Sequence, residues 1–290
     1  LKLKGPRPRI WTRPRPLDWR KTVKLQEELF DFAYIPSAHI EALVNLAAAE
    51  GWGESNWVLK SYIKNLYKRI AQVCNASEGI SAVDIISVAD NRACFDTGLY
   101  TGTFERIFAL FTPNRVRDKQ PWCLQGFYRE NDVALHSAGP LPHRVVFYDD
   151  PADLVFDVRL EINVNYDHIL GDEENVSRFP ASLQGGDKVN ARYRALEGAL
   201  AEAKKRVAAN YMLAVPQFFT DKNSAAGKVQ LLLPLCLTGD KPELALTLER
   251  SDGSYVARTC LTLPMAYNNA RLINKPEAQW LVQGGVGVDA

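Results

Sequence analysis

The last third of the chain holds three apolar-rich runs of strand length, Val229–Leu237, Leu244–Arg250 and Tyr255–Leu263, with Asp252-Gly253 between the last two. Asp-Gly between two such runs is a strong signal for a two-residue hairpin turn. Strands joined so tightly must run antiparallel, because a parallel pair needs a crossover of a dozen residues or more. The pattern therefore predicts a β-meander and excludes continuous βαβ winding in this part of the chain. The N-terminal third follows the helical period. A helix over Leu17–Phe32 is expected from Leu25, Leu29 and Phe32. Ser37 is the expected N-cap of a helix over Ala38–Glu50, with Gly51 as its stop. Trp57, Val58, Tyr62, Leu66, Ile70 and Val73 form one stripe of a helix over Glu54–Asn75. Helices collected at one end and hairpins at the other predict an α+β fold: N-terminal helices, an antiparallel sheet of mixed strand lengths and one long helix.

Between these ends the chain reads as short strands. Asp84–Ala89 and Arg92–Asp96 flank an Asp90-Asn91 turn, and Ile107–Thr112, Trp122–Tyr128 and Arg144–Tyr148 follow. Arg159–His168 alternates strictly and predicts a strand with Asn163, Asn165 and Asp167 on one face and Ile162, Val164, Tyr166 and His168 on the other. Asp187 is the expected cap of the long helix, around residues 187–213, whose apolar face is Ala195, Leu196, Ala199, Leu200, Ala203 and Val207. At Leu261–Asn274 a strand runs into Pro264, which suits the first turn of a helix. There Ala266, Ala270 and Ile273 share one side, and Tyr267, Asn268 and Arg271 another.

The net charge of +1 conceals an asymmetry. Residues 1–24 carry nine basic side chains and one acid, which leaves 26 basic and 33 acidic side chains, a net −7, for residues 25–290. The first stretch is rich in Pro and Arg with Trp11 and Trp19, and alternating proline forbids helix there. It is therefore expected to be an arm or linker (1–24) on a single α+β domain (25–290). Its partner would be a nucleic acid, or the acidic body of its own subunit or of a neighbouring one in a homo-oligomer. No apolar run spans a membrane and no signal core follows the N-terminal charges, so a cytoplasmic protein without a membrane partner is expected. Cys74, Cys94, Cys123, Cys236 and Cys260 are odd in number and unpaired in spacing, which predicts free thiols. The chain lacks G-x-x-x-x-G-K-[ST], G-x-G-x-x-G, H-E-x-x-H and G-x-S-x-G. That excludes P-loop motors, Rossmann oxidoreductases, zincins and α/β-hydrolases.

Six stretches resemble a bacterial family known only as a domain of unknown function, found beside cold-shock or OST-HTH domains. They are Leu29–Pro36, Phe95–Thr101, Ile107–Phe111, Val164–Leu170, Arg178–Pro180 and Met265–Ile273, in one order across roughly residues 25–282. The chain departs from the family's pattern at Asp96, where members tend to carry Asn. Cold-shock and OST-HTH modules bind RNA, so the resemblance implies work on RNA or a nucleotide.

Four clusters could carry that chemistry. Asn163, Asn165 and Asp167 could read a base edge or hold a divalent cation through oxygen ligands, and are otherwise a solvated sheet face. His168 is either a core histidine or, with Asp167, the acid or base of a phosphoester or glycosidic cleavage. Thr97, Gly98 and Tyr100 form a turn that could offer amides and hydroxyls to phosphate and a ring to a base. Tyr267, Asn268, Asn269 and Arg271 could read a nucleotide, with Arg271 and Arg178 as phosphate clamps, or form a satisfied buried network. His39, His136 and His143 have no metal-ligand spacing with His168, so zinc is not expected, and no cofactor is expected beyond a divalent cation on the Asn163 face. The expectation is an RNA- or nucleotide-binding domain, with a hydrolase on such ligands and a non-catalytic interaction domain as alternatives.

Overall fold

The structure is a computed structural model and describes residues 24–77, 84–89, 91–116, 118–136, 139–220 and 227–281. It is α+β, with seven α-helices and two five-stranded sheets among those residues. The chain enters through α1 (Leu29–Phe32), β1 (Ala33–Tyr34), α2 (Ser37–Leu46) and the twenty-residue α3 (Trp57–Ala76). The first sheet adds β2 (Ser87–Ala89), β3 (Arg92–Tyr100), β4 (Arg106–Pro113) and β5 (Trp122–Arg129) in the order β1-β5-β4-β3-β2. The second sheet contains β6 (Ile162–Val164), β7 (Val215–Thr220), β8 (Gly227–Leu235), β9 (Leu244–Ser251) and β10 (Ser254–Thr262) in the order β6-β10-β9-β8-β7. Each sheet is antiparallel except for one short parallel edge strand, β1 on β5 and β6 on β10. Helices α4 (Tyr166–Gly171), α5 (Glu173–Arg178) and α6 (Val189–Ala209) follow β6, and α7 (Leu263–Ile273) closes the fold.

Two cores explain this arrangement. Alternation in β8 and β9 sends Leu231, Leu233, Leu246 and Leu248 to the face covered by Leu196, Leu200 and Val207 of α6. On the other core, α3 lays Tyr62, Leu66 and Ile70 against Phe95 and Phe111 of the first sheet. That cluster continues through Ala266 and Ala270 of α7 to Val215, Leu232 and Ala245 of the second sheet. Helix α7 thus lies between the two sheets and covers only part of the second sheet's other face.

Several expectations need correction. The strand read over Arg159–His168 survives only as Ile162–Val164. Asn165 then accepts a hydrogen bond from the His168 amide and caps α4, so Tyr166, Asp167 and His168 are helical. A capping side chain has won over alternation. Arg144–Tyr148 alternates, with Val145 and Phe147 buried and Val146 exposed, but pairs with no strand among the described residues. Helix α2 begins at Ser37 with Pro36 as its cap and stops at Leu46, because the Ala48 amide is bound by the Tyr100 carbonyl (2.7 Å) and Glu50 turns inward. The long helix begins at Val189 and ends at Ala209, where Asn210 accepts from the Met212 amide and opens a separate turn. Asp187 sits in the turn before it and caps nothing. Of the helix expected over Leu17–Phe32, residues 17–23 lie outside the described residues, and only Leu29–Phe32 is helical. The basic arm also falls almost wholly outside them. All five cysteines are free, three of them buried. Among the described residues no helix is long and apolar enough to cross a membrane.

Candidate functional site

Strands β7, β8, β9 and β10 leave a groove of about 420 Å³ on the face not covered by α6. Its floor is polar where a sheet interior is normally apolar. Gln217, fully buried on β7, faces Gln230 on β8 in register. The Gln217 amide donates to the Gln230 carbonyl (2.9 Å), and its own carbonyl accepts from the Asn269 amide of α7 (3.1 Å). Both polar ends of Gln217 are thereby satisfied, as burial requires. The Gln230 NH2 has no partner among the described residues and is left to the groove. Thr247 is held by its hydroxyl on the Thr259 carbonyl (3.1 Å).

Charge gathers at the rim. Lys228 and Glu249 pair across strands at 2.6 Å and cancel. Arg258 and His168 also line the groove, and neither side chain forms an ion pair or hydrogen bond among the described residues. Arg258 lies at the bulge that interrupts the β9–β10 register between Ala257 and Cys260. Bulges re-aim side chains next to functional sites. The bulge is pinned from behind by Arg178, whose Nη1 donates to Thr259 Oγ1 (3.0 Å), the Cys260 carbonyl (2.8 Å) and Asn175 Oδ1 (3.1 Å). Its Nη2 pairs with Glu174. Arg178 is therefore a brace with both terminal nitrogens engaged by the protein. The same burial pushes the Cys260 thiol up to about 12, against the pull of Arg178.

Arg271 is further inside. Its Nε donates to Glu50 Oε1 at 2.6 Å, with side-chain exposures of only 7% and 4%. Tyr267 donates its hydroxyl to the same carboxylate oxygen (3.0 Å). The guanidinium lies over Tyr62 (4.6 Å) and Trp52 (5.3 Å). Burial opposes its charge, but Tyr62 and Glu50 outweigh that and raise it above the ordinary arginine value. Asn268 Oδ1 is buried and unpaired among the described residues. Arg271 and Tyr267 thus belong to a closed network between α7 and α3.

The Asp96–Thr101 stretch forms a bulged turn in β3. Gly98 has φ +65°, and a Cβ there would stand 2.7 Å from Arg144 Nε and 2.7 Å from the Tyr62 hydroxyl. Its amide is accepted by Asp96 Oδ1 (2.7 Å), and Tyr62 donates to the Thr97 carbonyl (2.8 Å). Thr97 Oγ1 is used on the Ile107 carbonyl (2.6 Å), and Thr97 lines neither the groove nor the cleft described below. Asp96 is buried beside Arg106 (3.5 Å), and desolvation raises its carboxyl despite the Gly98 amide and the Arg106 and Arg144 charges. Gly98 and Tyr100 line a different cavity, an open cleft of about 910 Å³ at the C-terminal end of α7.

The structure therefore divides the expected residues rather than gathering them in one cavity. His168 lines the groove, and Asn269 and Arg178 support it at one remove. Tyr267 and Arg271 are enclosed, and Gly98 and Tyr100 face the cleft. Asn163, Asn165 and Asp167 are exposed and line neither. Among the described residues no group of three or more His, Cys, Asp or Glu is placed to hold a metal ion. The groove residues that sequence reasoning missed are Gln217, Gln230, Thr247 and Arg258. Their signal was a polar side chain inside an apolar run, as in Val215-Pro-Gln-Phe-Phe219 and Val229-Gln-Leu-Leu-Leu233.

The model of a family described as "Domain of unknown function (DUF3825)" matches residues 43–280, and the chain belongs to that family. No curated protein and no solved structure matches it.

Proposed function

We propose that this DUF3825 domain binds RNA or a nucleotide in the polar groove of its second sheet. The observation that carries the reading is that Arg258 and His168 line one groove without acidic partners among the described residues, together with an unused Gln230 amide. Arginine takes a phosphate bidentately, and a primary amide reads a base edge or a ribose hydroxyl. A volume of about 420 Å³ lies in the range of small-ligand sites, roughly 300–1,000 Å³. Three distant segments supply the groove: His168 from α4, Gln217 from β7 and Thr259 from β10. The company of RNA-binding modules implied by the sequence resemblance points the same way.

A hydrolase is the second reading, and the free His168 imidazole favours it. An imidazole with no protein partner at a ligand groove is available to move a proton in phosphoester or glycosidic cleavage. Asp167 does not line the groove and is assigned no part in that step. The test is fluorescence polarisation with labelled mononucleotides and short RNA. Arg258→Ala should weaken binding by about 1–3 kcal/mol, the range of one bidentate contact. Unchanged affinity in a folded Arg258→Ala protein sinks the reading. Product formation that His168→Ala abolishes, with binding retained, separates the enzyme from the binder.

A further inference from the structure

The cleft at the C-terminal end of α7 differs in character from the groove. It is more than twice as large, about 910 Å³ against 420 Å³. Its walls come from the Gly98 turn, Arg144, the turn after α6 and the segment after α7. Tyr100 and Tyr211 stand 41% and 57% exposed on it. Arg144 and Lys275 also line it, and neither forms an ion pair among the described residues. Arg144 is anchored, since its Nη2 donates to the Ile273 carbonyl at 2.8 Å. It is also packed against Gly98, where no side chain could fit. Lys275 is exposed and touches the Ala49 carbonyl at 3.4 Å. Glu277 is the opposing acid on the wall.

Exposed rings interleaved with unpaired cations suit one ligand chemistry, a backbone of phosphates carrying flat bases. Each base stacked on an aromatic side chain strengthens binding about 5- to 150-fold, whatever its identity. An acidic peptide would use the cations and leave both tyrosines idle. We infer that this cleft holds a single-stranded nucleic acid segment without reading its sequence, Arg144 and Lys275 meeting phosphates and Tyr100 and Tyr211 stacking bases. The inference shares its ligand class with the groove's proposed function but none of its residues. Helix α7 joins the two, with Asn269 at the groove and Ile273 at the cleft.

The test compares a labelled ten-nucleotide oligouridylate with uridine monophosphate on the full chain. Lys275→Glu and Tyr211→Ala are exposed substitutions, and circular dichroism verifies their folding. Each should weaken the oligonucleotide by at least about tenfold while the mononucleotide binds as before. Lys275→Glu should also flatten the salt dependence, by about 0.7 in the slope of log K on log salt for one lost phosphate contact. If both folded variants bind the oligonucleotide as tightly as the parent, the cleft assignment is wrong. Tighter capture of a poly-glutamate peptide than of the oligonucleotide overturns it too. Oligonucleotide binding that depends on the cleft, with no mononucleotide binding and no effect of Arg258→Ala, would support the cleft and refute the groove.

Discussion

The Glu50–Arg271 pair decides whether Arg271 serves the fold or a ligand. The two side chains are 4% and 7% exposed and meet at 2.6 Å. Tyr267 adds a hydrogen bond to the same oxygen, and Tyr62 and Trp52 hold the guanidinium between their rings. Removing one member of a buried ion pair strands the other charge and costs about 3–5 kcal/mol. Glu50→Ala should lose that amount. Arg271→Ala should lose slightly more, because cation–π contacts of about 0.5–2 kcal/mol go with it. The double variant strands no charge, so it should fall short of the summed single losses by about 2 kcal/mol or more. Urea unfolding followed by tryptophan fluorescence reads all three, with Trp52 placed beside the network as a reporter. Additive losses, or a Glu50→Ala loss below about 1 kcal/mol, would refute the buried-pair reading. So would a fully stable Arg271→Ala protein that no longer binds nucleotide, since that would make Arg271 a ligand contact.

Asp96→Asn should stabilise the protein at pH 8. Burial raises the Asp96 carboxyl, so the folded state favours its protonated form and is penalised as pH rises through the folded value. The advantage of the variant should shrink on acidification, and denaturant midpoints at pH 8 and pH 4 that differ by the same amount would refute this. Gly98→Ala should destabilise by at least about 1–2 kcal/mol from the left-handed backbone alone. The 2.7 Å approach to Arg144 and Tyr62 adds to that loss, and a thermal melt equal to the parent's would contradict the close packing.

The parts of the fold governed by local pattern were legible in the sequence. The Asp252-Gly253 hairpin, the stripe of α3 and the Pro264 start of α7 all follow from residues within a few positions of one another. The errors lie where a distant partner decides. Arg144–Tyr148 has the alternation of a strand, but no strand among the described residues presents itself for pairing. Asn165 is a local exception: it reads as a strand residue until its side chain takes the amide of His168, three residues on. Distant partners hid the site as well. Arg271 carries the chemistry of a phosphate clamp, and only the return of Glu50 from 221 residues away commits it to the interior. Conversely, Gln217 falls in a strand the pattern missed, because Pro216 and two phenylalanines obscure its alternation.

The amide floor of the groove is hard to explain by packing. Leu232 and Ala245 lie on the same face and belong to the apolar cluster under α7. Leucine at 217 and 230 would extend that cluster. A satisfied buried amide contributes little over an apolar side chain of similar size, because each bond replaces one made to water. The fold therefore gains little from two facing glutamines and an asparagine that reaches down to them. What they do provide is direction. Asn269 and Gln217 are bonded in one line that ends on the Gln230 carbonyl, and this leaves the Gln230 NH2 to the groove. A pre-oriented donor in the same groove as an arginine and an imidazole keeps its geometry before any ligand arrives, and preorganisation of that kind reduces the entropy lost on binding.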